Sequence, residues 1–152
     1  MTGADPLDGT WHIVSTSLPF WRSRVAPSVT YSPLPDGRVL DVVQYTARGR
    51  VRLVVGADSR VADGYHWRGL TPLTRLTSSR WRVVAADESA PEPTAQWAVT
   101  AFEKTLFTPA GVDVYCRATT IDPPAHDAAL AALGADPALA GFVARLFTPA
   151  LG

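Results

Sequence analysis

LDGTWHI, residues Leu7 to Ile13, opens the first apolar run of this chain and is the most informative part of the sequence. From residue 10 to residue 17, polar and apolar side chains alternate and include β-branched types, which is typical of a strand. Much later, VDVYCR at residues Val112 to Arg117 alternates in the same way and ends in an arginine. The sequence therefore predicts a first strand that carries Trp11 and a last strand that ends at Arg117.

Short β-prone runs, punctuated by proline and glycine, fill the chain between these two strands. The 13 Pro and 11 Gly are spread along the sequence, and Pro35-Asp36-Gly37 is a strong turn signal. Eight to nine antiparallel strands at this spacing predict an all-β fold, an up-and-down β-barrel. Besides the two terminal strands, we predict strands at residues 28–32, 38–46, 51–55, 65–69, 80–86 and 96–102, with a further short one at 105–107.

The periodicity of the sequence changes after the last strand. Asp122-Pro123-Pro124 is typical of the start of a helix, and a run rich in alanine and leucine follows it. Gly134 is typical of the residue at which such a helix ends. A second short helix is predicted through Leu146. We expect this C-terminal helical segment, residues 123–146, to pack its leucines on the outside of the barrel. Residues 1–152 then form one domain, with the strands between residues 9 and 117.

The order of these elements resembles the lipocalins: Gly9-Thr10-Trp11 on the first strand, Arg117 on the last, and then a helix. The likeness is nearest to bacterial outer-membrane and apolipoprotein-D-like members, and residues 7–13, 29–42 and 111–128 carry it. The family's Thr-Asp-Tyr motif is missing, and Phe102-Glu103-Lys104 stands near that place. The resemblance implies a cup-shaped barrel in which Gly9, Trp11 and Arg117 are structural, with Trp11 filling the closed end and Arg117 lying over its indole ring.

Composition narrows the classes of partner and location. The chain has 14 basic and 14 acidic residues, so its formal net charge of +0 gives no argument for a nucleic-acid partner. No apolar run reaches about 18 residues, so no integral membrane segment is expected. The stretch Met1 to Pro6 has neither an apolar signal core nor a cysteine for a lipid anchor, and Cys116 is the only cysteine. We therefore expect a cytoplasmic protein that is a monomer or a homodimer.

The interior of such a barrel is expected to bind a small hydrophobic molecule, because large aromatic side chains with a few polar groups are the usual lining of a ligand site. The resemblance to the lipocalins also implies that the connector from Leu18 to Pro27 folds over the open mouth, where Arg22 or Arg24 would face an anionic group of the ligand. Alternatively, single tryptophans only fill the core or pack under the helix. The ligand-binding residues predicted here are Phe20, Trp21, Val39, Val43, Trp67, Trp97 and Val99.

Acid–base chemistry inside the barrel is the second possibility. Asp41, Tyr45 and Tyr65 are the candidate catalytic groups, because a carboxyl buried in an apolar barrel would have a raised pKa that suits proton transfer. Alternatively, Asp41 faces solvent or a neighbouring arginine. The 3 His residues show no metal-ligand spacing, and the sequence has no phosphate-binding glycine loop, so we expect no metal and no cofactor.

Two classes of function remain open at this point. The first is an intracellular binding protein that holds a small hydrophobic molecule, such as a fatty acid, an isoprenoid, a polyketide or a pigment. The second is a cofactor-independent cyclase or isomerase of natural-product biosynthesis that folds an apolar substrate in the same cavity. A blander alternative is a barrel filled by its own side chains. The interior distinguishes them, because a carrier needs an open apolar cavity and an enzyme needs a shaped one with buried polar groups.

Overall fold

Eight antiparallel strands close into a barrel in the computed structural model of this protein, which describes residues 7–152. Each strand pairs with the next one along the chain, and the last pairs with the first, so the predicted up-and-down barrel is confirmed. The stretch Met1 to Pro6, on which the expectation of no export signal rests, lies outside the described residues. The strands are β1 (Gly9–Thr16), β2 (Val25–Pro33), β3 (Val39–Ala47), β4 (Arg50–Val61), β5 (Gly64–Gly69), β6 (Ser78–Asp87), β7 (Trp97–Phe102) and β8 (Gly111–Cys116).

Two strands are much longer than the sequence predicted, and one predicted strand is a loop. β2 begins at Val25, and β4 continues to Val61. β4 extends this far because it pairs with β3 on one side and with β5 on the other, beyond the point where its hydrophobic pattern ends. Residues 105–107 instead belong to the loop between β7 and β8, where the Thr105 N–H donates to the Thr108 carbonyl at 2.9 Å. The barrel therefore has eight strands and not nine.

A helix packs on the outer wall of the barrel, as predicted. This helix, α1 (Pro123–Gly134), has both of its prolines in the first turn, where no intrahelical N–H is needed. Its buried side chains are Ala125, Ala129 and Leu133, which lie against the outer face of the sheet. The predicted second helix is a short 3-10 segment (Ala140–Arg145). Within residues 7–152, no helix is long and apolar enough to cross a membrane.

Strand β7 is buried on both faces and separates two apolar cores. Ala98 of this strand faces the barrel interior, whereas Trp97 and Val99 pack beneath α1 with Leu133. Trp97 and Val99 were predicted to line the ligand cavity, and that prediction is wrong. Alternation along a strand shows which side chains share a face, but it cannot show which face is interior when both faces are apolar.

Trp11 and Arg117 close one end of the barrel. Trp11 is fully buried, and its Nε1 donates to the Leu7 carbonyl at 3.0 Å. The guanidinium carbon of Arg117 lies 3.7 Å from the centroid of the Trp11 ring, so the expected cation–π contact is present. Arg117 also donates to the carbonyls of Asp8 and Thr10 at 2.7 and 2.9 Å, and it forms a 3.0 Å ion pair with Glu88. This one side chain therefore ties the start of β1 to the loop after β6.

Candidate ligand cavity

The mouth of the barrel lies at the end opposite Trp11, where the chain turns after β1, β3, β5 and β7. A short 3-10 helix between β1 and β2 (Pro19–Ser23), called the lid below, packs on the rim of this mouth. The rings of Phe20 and Trp21 lie with their centroids 5.6 and 5.5 Å from that of Tyr45 on β3. Arg24 lies 3.6 Å from the centroid of the Phe20 ring and donates to the Phe20 carbonyl at 2.6 Å. These contacts hold the lid against the rim.

A cavity of about 400 Å³ lies beneath the lid, and most of its lining is apolar. Its volume is in the range of small-molecule sites in proteins. The indole of Trp67 can lie against β4 because Gly56 has no side chain, and a Cβ at Gly56 would overlap the indole ring. The apolar lining consists of Ile13, Leu18, Pro19, Phe20, Trp21, Val29, Val43, Val54, Trp67, Phe102, Phe107 and Pro109.

Packed aromatic rings fill the closed half of the barrel and form the floor of the cavity. The Trp81 ring stacks on Tyr65 with centroids 4.5 Å apart and on Tyr31 with centroids 5.5 Å apart. Next to them, Tyr115 packs on Trp11 with centroids 6.3 Å apart. Because these side chains occupy the closed half, the cavity is confined to the half nearer the mouth.

A pair of carboxyls lies at one side of this floor. Asp41 of β3 is within hydrogen-bonding reach of Asp58 of β4, and Asp58 Oδ1 accepts a hydrogen bond from Trp81 Nε1 at 3.0 Å. Burial, and then the charge of Asp58, raise the pKa of Asp41 well above its usual range. Asp41 Oδ1 is buried and has no hydrogen-bond partner among residues 7–152, although Asp41 lines the cavity.

A second polar group lies on β8 and its neighbours. Asp113 accepts a hydrogen bond from the Thr16 hydroxyl at 2.5 Å, and the Tyr31 and Tyr115 hydroxyls lie 3.0 Å apart. Burial raises the pKa of Asp113 to about 7, against the opposing effect of the Thr16 hydrogen bond. Burial also raises the pKa of both tyrosines. Among the described residues that line the cavity, two are carboxylic and none is Lys, Arg or His.

The residues predicted from the sequence divide into three sets. Five of them line the cavity, namely Phe20, Trp21, Asp41, Val43 and Trp67. Three others belong to the interior but not to the cavity lining. Val39 and Tyr65 are buried among the core side chains, and Tyr45 packs against the lid. The remaining two, Trp97 and Val99, lie outside the barrel, beneath α1.

The structure excludes the alternative placement of Asp41 and corrects one expectation about two arginines. Asp41 faces the interior and is only 5% exposed, so it meets neither solvent nor an arginine. Arg22 and Arg24 do not line the cavity, because Arg22 lies over the Phe147 ring at 4.1 Å and Arg24 lies over Phe20. Both cations are held by aromatic rings near the rim, so neither reaches a ligand group inside.

Sequence reasoning missed much of the polar floor, namely Tyr31, Asp58, Asp113 and Tyr115. A signal was available on β8, where Asp113 and Tyr115 stand two residues apart within an apolar run and must share a face. For Asp58 there was no signal, because it lies beyond the part of β4 that the hydrophobic pattern marked. Within residues 7–152, no group of three or more His, Cys, Asp or Glu side chains is placed to hold a metal ion.

A closed eight-stranded up-and-down barrel with an internal cavity and a helix on its outer wall defines the lipocalin fold, and this chain has that fold. Among solved structures, lobster apocrustacyanin A1 matches with a TM-score of 0.72 and 11% identity, over 96% of this chain and 78% of that one. The siderocalin Ex-FABP matches with a TM-score of 0.70 and 13% identity, over 97% of this chain and 95% of that one. The amine-binding protein of Rhodnius prolixus, in its tryptamine complex, matches with a TM-score of 0.67 and 13% identity, over 94% of this chain and 77% of that one. No protein-family profile matches the sequence, and no curated protein matches it by sequence.

Proposed function

We propose that this protein binds a small, largely apolar molecule inside the barrel, beneath the lid. The cavity of about 400 Å³ with its aromatic lining is the observation that carries the proposal. Moving apolar ligand surface from water into such a lining is favourable by roughly 25 cal/mol for each Å² buried. The side chains of Phe20, Trp21 and Trp67 supply flat surfaces that a planar or cyclic ligand can contact.

The depth of the cavity favours a compact ligand. The stacked rings of Tyr65, Trp81 and Tyr31 close off the lower half of the barrel, so an extended acyl chain has no channel to follow. Among the ligand classes expected from the sequence, a pigment, a cyclic isoprenoid or an aromatic polyketide fits this space better than a fatty acid. Aromatic side chains also give such ring systems favourable stacked or edge-to-face contacts.

The floor of the cavity favours a ligand that carries a hydrogen-bond donor or an ammonium group at its inner end. Asp41 Oδ1 is a buried acceptor without a partner among residues 7–152, and Asp113 lines the same space. A buried acceptor that gains a donor recovers the cost of its desolvation. The amine-binding protein of Rhodnius prolixus, which has the same fold, forms a complex with tryptamine. This likeness supports an amine-bearing ligand here.

Native mass spectrometry of the freshly purified protein, followed by solvent extraction, tests the proposed binding. Val54 and Val55 are neighbours on β4, but Val54 lines the cavity and Val55 points to the other face. We expect the wild-type protein and Val55→Phe to carry a near-stoichiometric apolar compound, and Val54→Phe to lose it because the ring fills the cavity. Equal loading of Val54→Phe and Val55→Phe would place the ligand elsewhere and contradict the proposal.

Two synthetic probes test the inner polar group. 1-Naphthylmethylamine and 1-naphthylacetate share one ring system and differ in the sign of their charge. We expect the amine to bind more tightly than the acid, and Asp41→Asn to reduce that preference by about tenfold, since a charge-assisted hydrogen bond contributes roughly 1.5–3 kcal/mol. Asp36→Asn, on an exposed turn, is the control and should leave the preference unchanged. Equal affinity for the two probes would contradict an acidic recognition group.

An isomerase or cyclase is the second candidate, and the raised pKa of Asp113, about 7, favours it. A carboxyl with a pKa near the working pH can both give and take a proton. If the protein moves a carbon-bound proton, the compound extracted from it will gain deuterium when incubated with the protein in D₂O. We expect Asp113→Asn to abolish that exchange while the compound still binds. No exchange above the rate in buffer would exclude proton transfer by Asp113 and leave the binding proposal intact.

A further inference from the structure

The rim of the barrel mouth exposes large apolar side chains. The rim is made of residues 17–26, 45–53, 68–79 and 102–111, called the mouth segments below. Within residues 7–152 eight large hydrophobic side chains are exposed, and seven of them lie in these segments. Leu73 and Leu106 are each 96% exposed and Leu76 is 94% exposed, so they project from the loop tips with almost no contact to the rest of the chain. Such clustering marks an interaction surface, because single exposed apolar residues are normally scattered.

The same rim is basic. The mouth segments contain eight Lys or Arg residues and one acidic residue, Glu103. Arg48, Arg50 and Arg52 stand together at the hairpin between β3 and β4, and all three are exposed. The loops at the opposite end carry Asp36, Asp63, Glu88 and Glu92, of which Asp36 and Glu88 form ion pairs with Arg38 and Arg117 at the same end, so this end has a smaller acidic excess. The net charge of +0 therefore conceals a separation of charge along the barrel axis, with the basic excess at the mouth.

We propose that the mouth of this barrel docks on an anionic lipid surface, with the loop-tip leucines entering the headgroup region. Peripheral membrane binding needs apolar side chains that enter the interface and basic side chains that meet anionic headgroups, and the rim supplies both. The acidic opposite end is repelled by the same surface, so the charge separation orients the molecule with its mouth toward the lipid. Docking does not depend on the identity of the ligand.

The cavity opens within this rim. Phe107 is 77% exposed on the loop between β7 and β8, and it also lines the cavity. A docked mouth therefore offers an apolar molecule a passage between the bilayer and the cavity that avoids water.

Other occupants fit the rim less well. A second copy bound mouth to mouth would bring two basic rims together, which is repulsive. A nucleic acid would contact the basic side chains, because its affinity comes mainly from phosphate contacts. It would leave the exposed leucines in water. A lipid surface is the partner that uses both features of the rim.

Flotation with lipid vesicles tests the proposal. We expect the protein to float with vesicles of phosphatidylcholine that contain phosphatidylserine as about one lipid in three, and to float poorly with phosphatidylcholine alone. Arg50→Gln should weaken the partition about fivefold, whereas Arg38→Gln, which removes one charge at the closed end, should not change it. The double variant Leu73→Ser, Leu106→Ser should also weaken it severalfold. These side chains are exposed, and far-UV circular dichroism checks that each variant keeps its strands.

Three results would overturn docking. The first is no flotation with the anionic vesicles. Self-association of the protein or binding of a DNA duplex in the same buffer would then identify the other occupant of the rim. The second is an equal loss of flotation in Arg50→Gln and Arg38→Gln, which would show that only the total charge matters. The third is unchanged flotation of the leucine double variant, which would exclude insertion of the loop tips.

Discussion

At the scale of single residues, Gly9 shows why a glycine precedes the buried tryptophan by two positions. Its backbone φ is +95°, and a Cβ there would lie 3.1 Å from Arg117 Nη1. Arg117 cannot easily move away, because it is held by the Trp11 ring, two backbone carbonyls and Glu88. Gly9, Trp11 and Arg117 therefore form one packed unit. The missing side chain of Gly9 leaves room for the Arg117 guanidinium, which lies over the Trp11 ring.

Replacing Gly9 by alanine should destabilise the protein more than replacing Gly37. Both glycines have a positive φ, but a Cβ at Gly37 would meet nothing within 4 Å. The backbone strain of about 1–2 kcal/mol is common to both variants, so the difference in their unfolding free energies reports the contact with Arg117. We expect Gly9→Ala to cost at least about 1 kcal/mol more than Gly37→Ala in urea denaturation. Equal costs would show that Arg117 adjusts freely.

Asp113 should make the folded protein less stable as the pH rises. Its pKa in the folded state is about 7, above the ordinary value of 3.8 that it has when unfolded. Between these two values the folded state holds a proton that the unfolded state has lost, so the stability falls as the pH rises through this window. The total loss is on the order of 4 kcal/mol.

Thermal unfolding measured from pH 4 to pH 7 checks this effect, because this range lies between the unfolded and folded pKa values of Asp113. We expect Asp113→Asn to flatten the decline without removing it, because the pKa of Asp41 is raised in the same direction. Asp36→Asn is the control, since Asp36 is exposed and its pKa is lowered by Arg38. An Asp113→Asn slope equal to that of the wild-type protein would mean that Asp113 is ionised in the folded state.

At the scale of elements, β7 is the strand that separates the two apolar cores of the molecule. One face meets the aromatic floor inside the barrel, and the other supports Ala129 and Leu133 of α1. The helix completes the outer core, because without it Trp97 and Val99 would be exposed to water. Trp67 on β5 and Trp97 on β7 therefore have different roles, although both strands show the same alternation of side chains. Trp67 lines the cavity, and Trp97 packs under α1.

Variants of two tryptophans test this division. We expect Trp97→Phe to lower the unfolding free energy by about 1–2 kcal/mol and to leave the affinity for 1-naphthylmethylamine unchanged, because Trp97 packs under α1. Trp67→Phe should weaken that affinity severalfold, because Trp67 lines the cavity. Isothermal titration calorimetry and urea denaturation of both variants provide the comparison. A loss of affinity in Trp97→Phe would instead favour a contact between that side chain and the ligand.

At the scale of the whole molecule, closure of the barrel and the filling of its floor together create the cavity. Pairing of β1 with β8 leaves no free strand edge among the eight strands of residues 7–152, which protects the sheet from pairing with another chain. The aromatic floor then limits the ligand to the half of the barrel beneath the lid. A ligand in this space contacts several strands and the lid, so its binding stabilises the folded state as a unit.

Nile red, a neutral hydrophobic dye, should raise the melting temperature of the ligand-free protein. At a free concentration of about 100 times its Kd, mass action contributes about 2.7 kcal/mol, which corresponds to roughly 5–10 °C for a domain of this size. We expect Val55→Phe to show the same rise and Val54→Phe to show little, since only the latter fills the cavity. Differential scanning calorimetry provides the measurement. Equal rises in both variants would mean that the dye binds outside the barrel.

The sequence by itself determined the strands and the outer helix, and its resemblance to the lipocalins implied the closed-end pair of Trp11 and Arg117 and the lid. Local alternation, turn residues and proline positions specify the strands and the helix, and they act over a few neighbouring residues. A cytoplasmic location remains a prediction from the sequence. Only the tertiary structure decided that Trp97 and Val99 face α1, that Asp41 meets Asp58, and that the exposed leucines share one rim. These facts depend on which face of each strand turns inward and on contacts between residues far apart in the chain, and neither is set by local pattern when both faces are apolar.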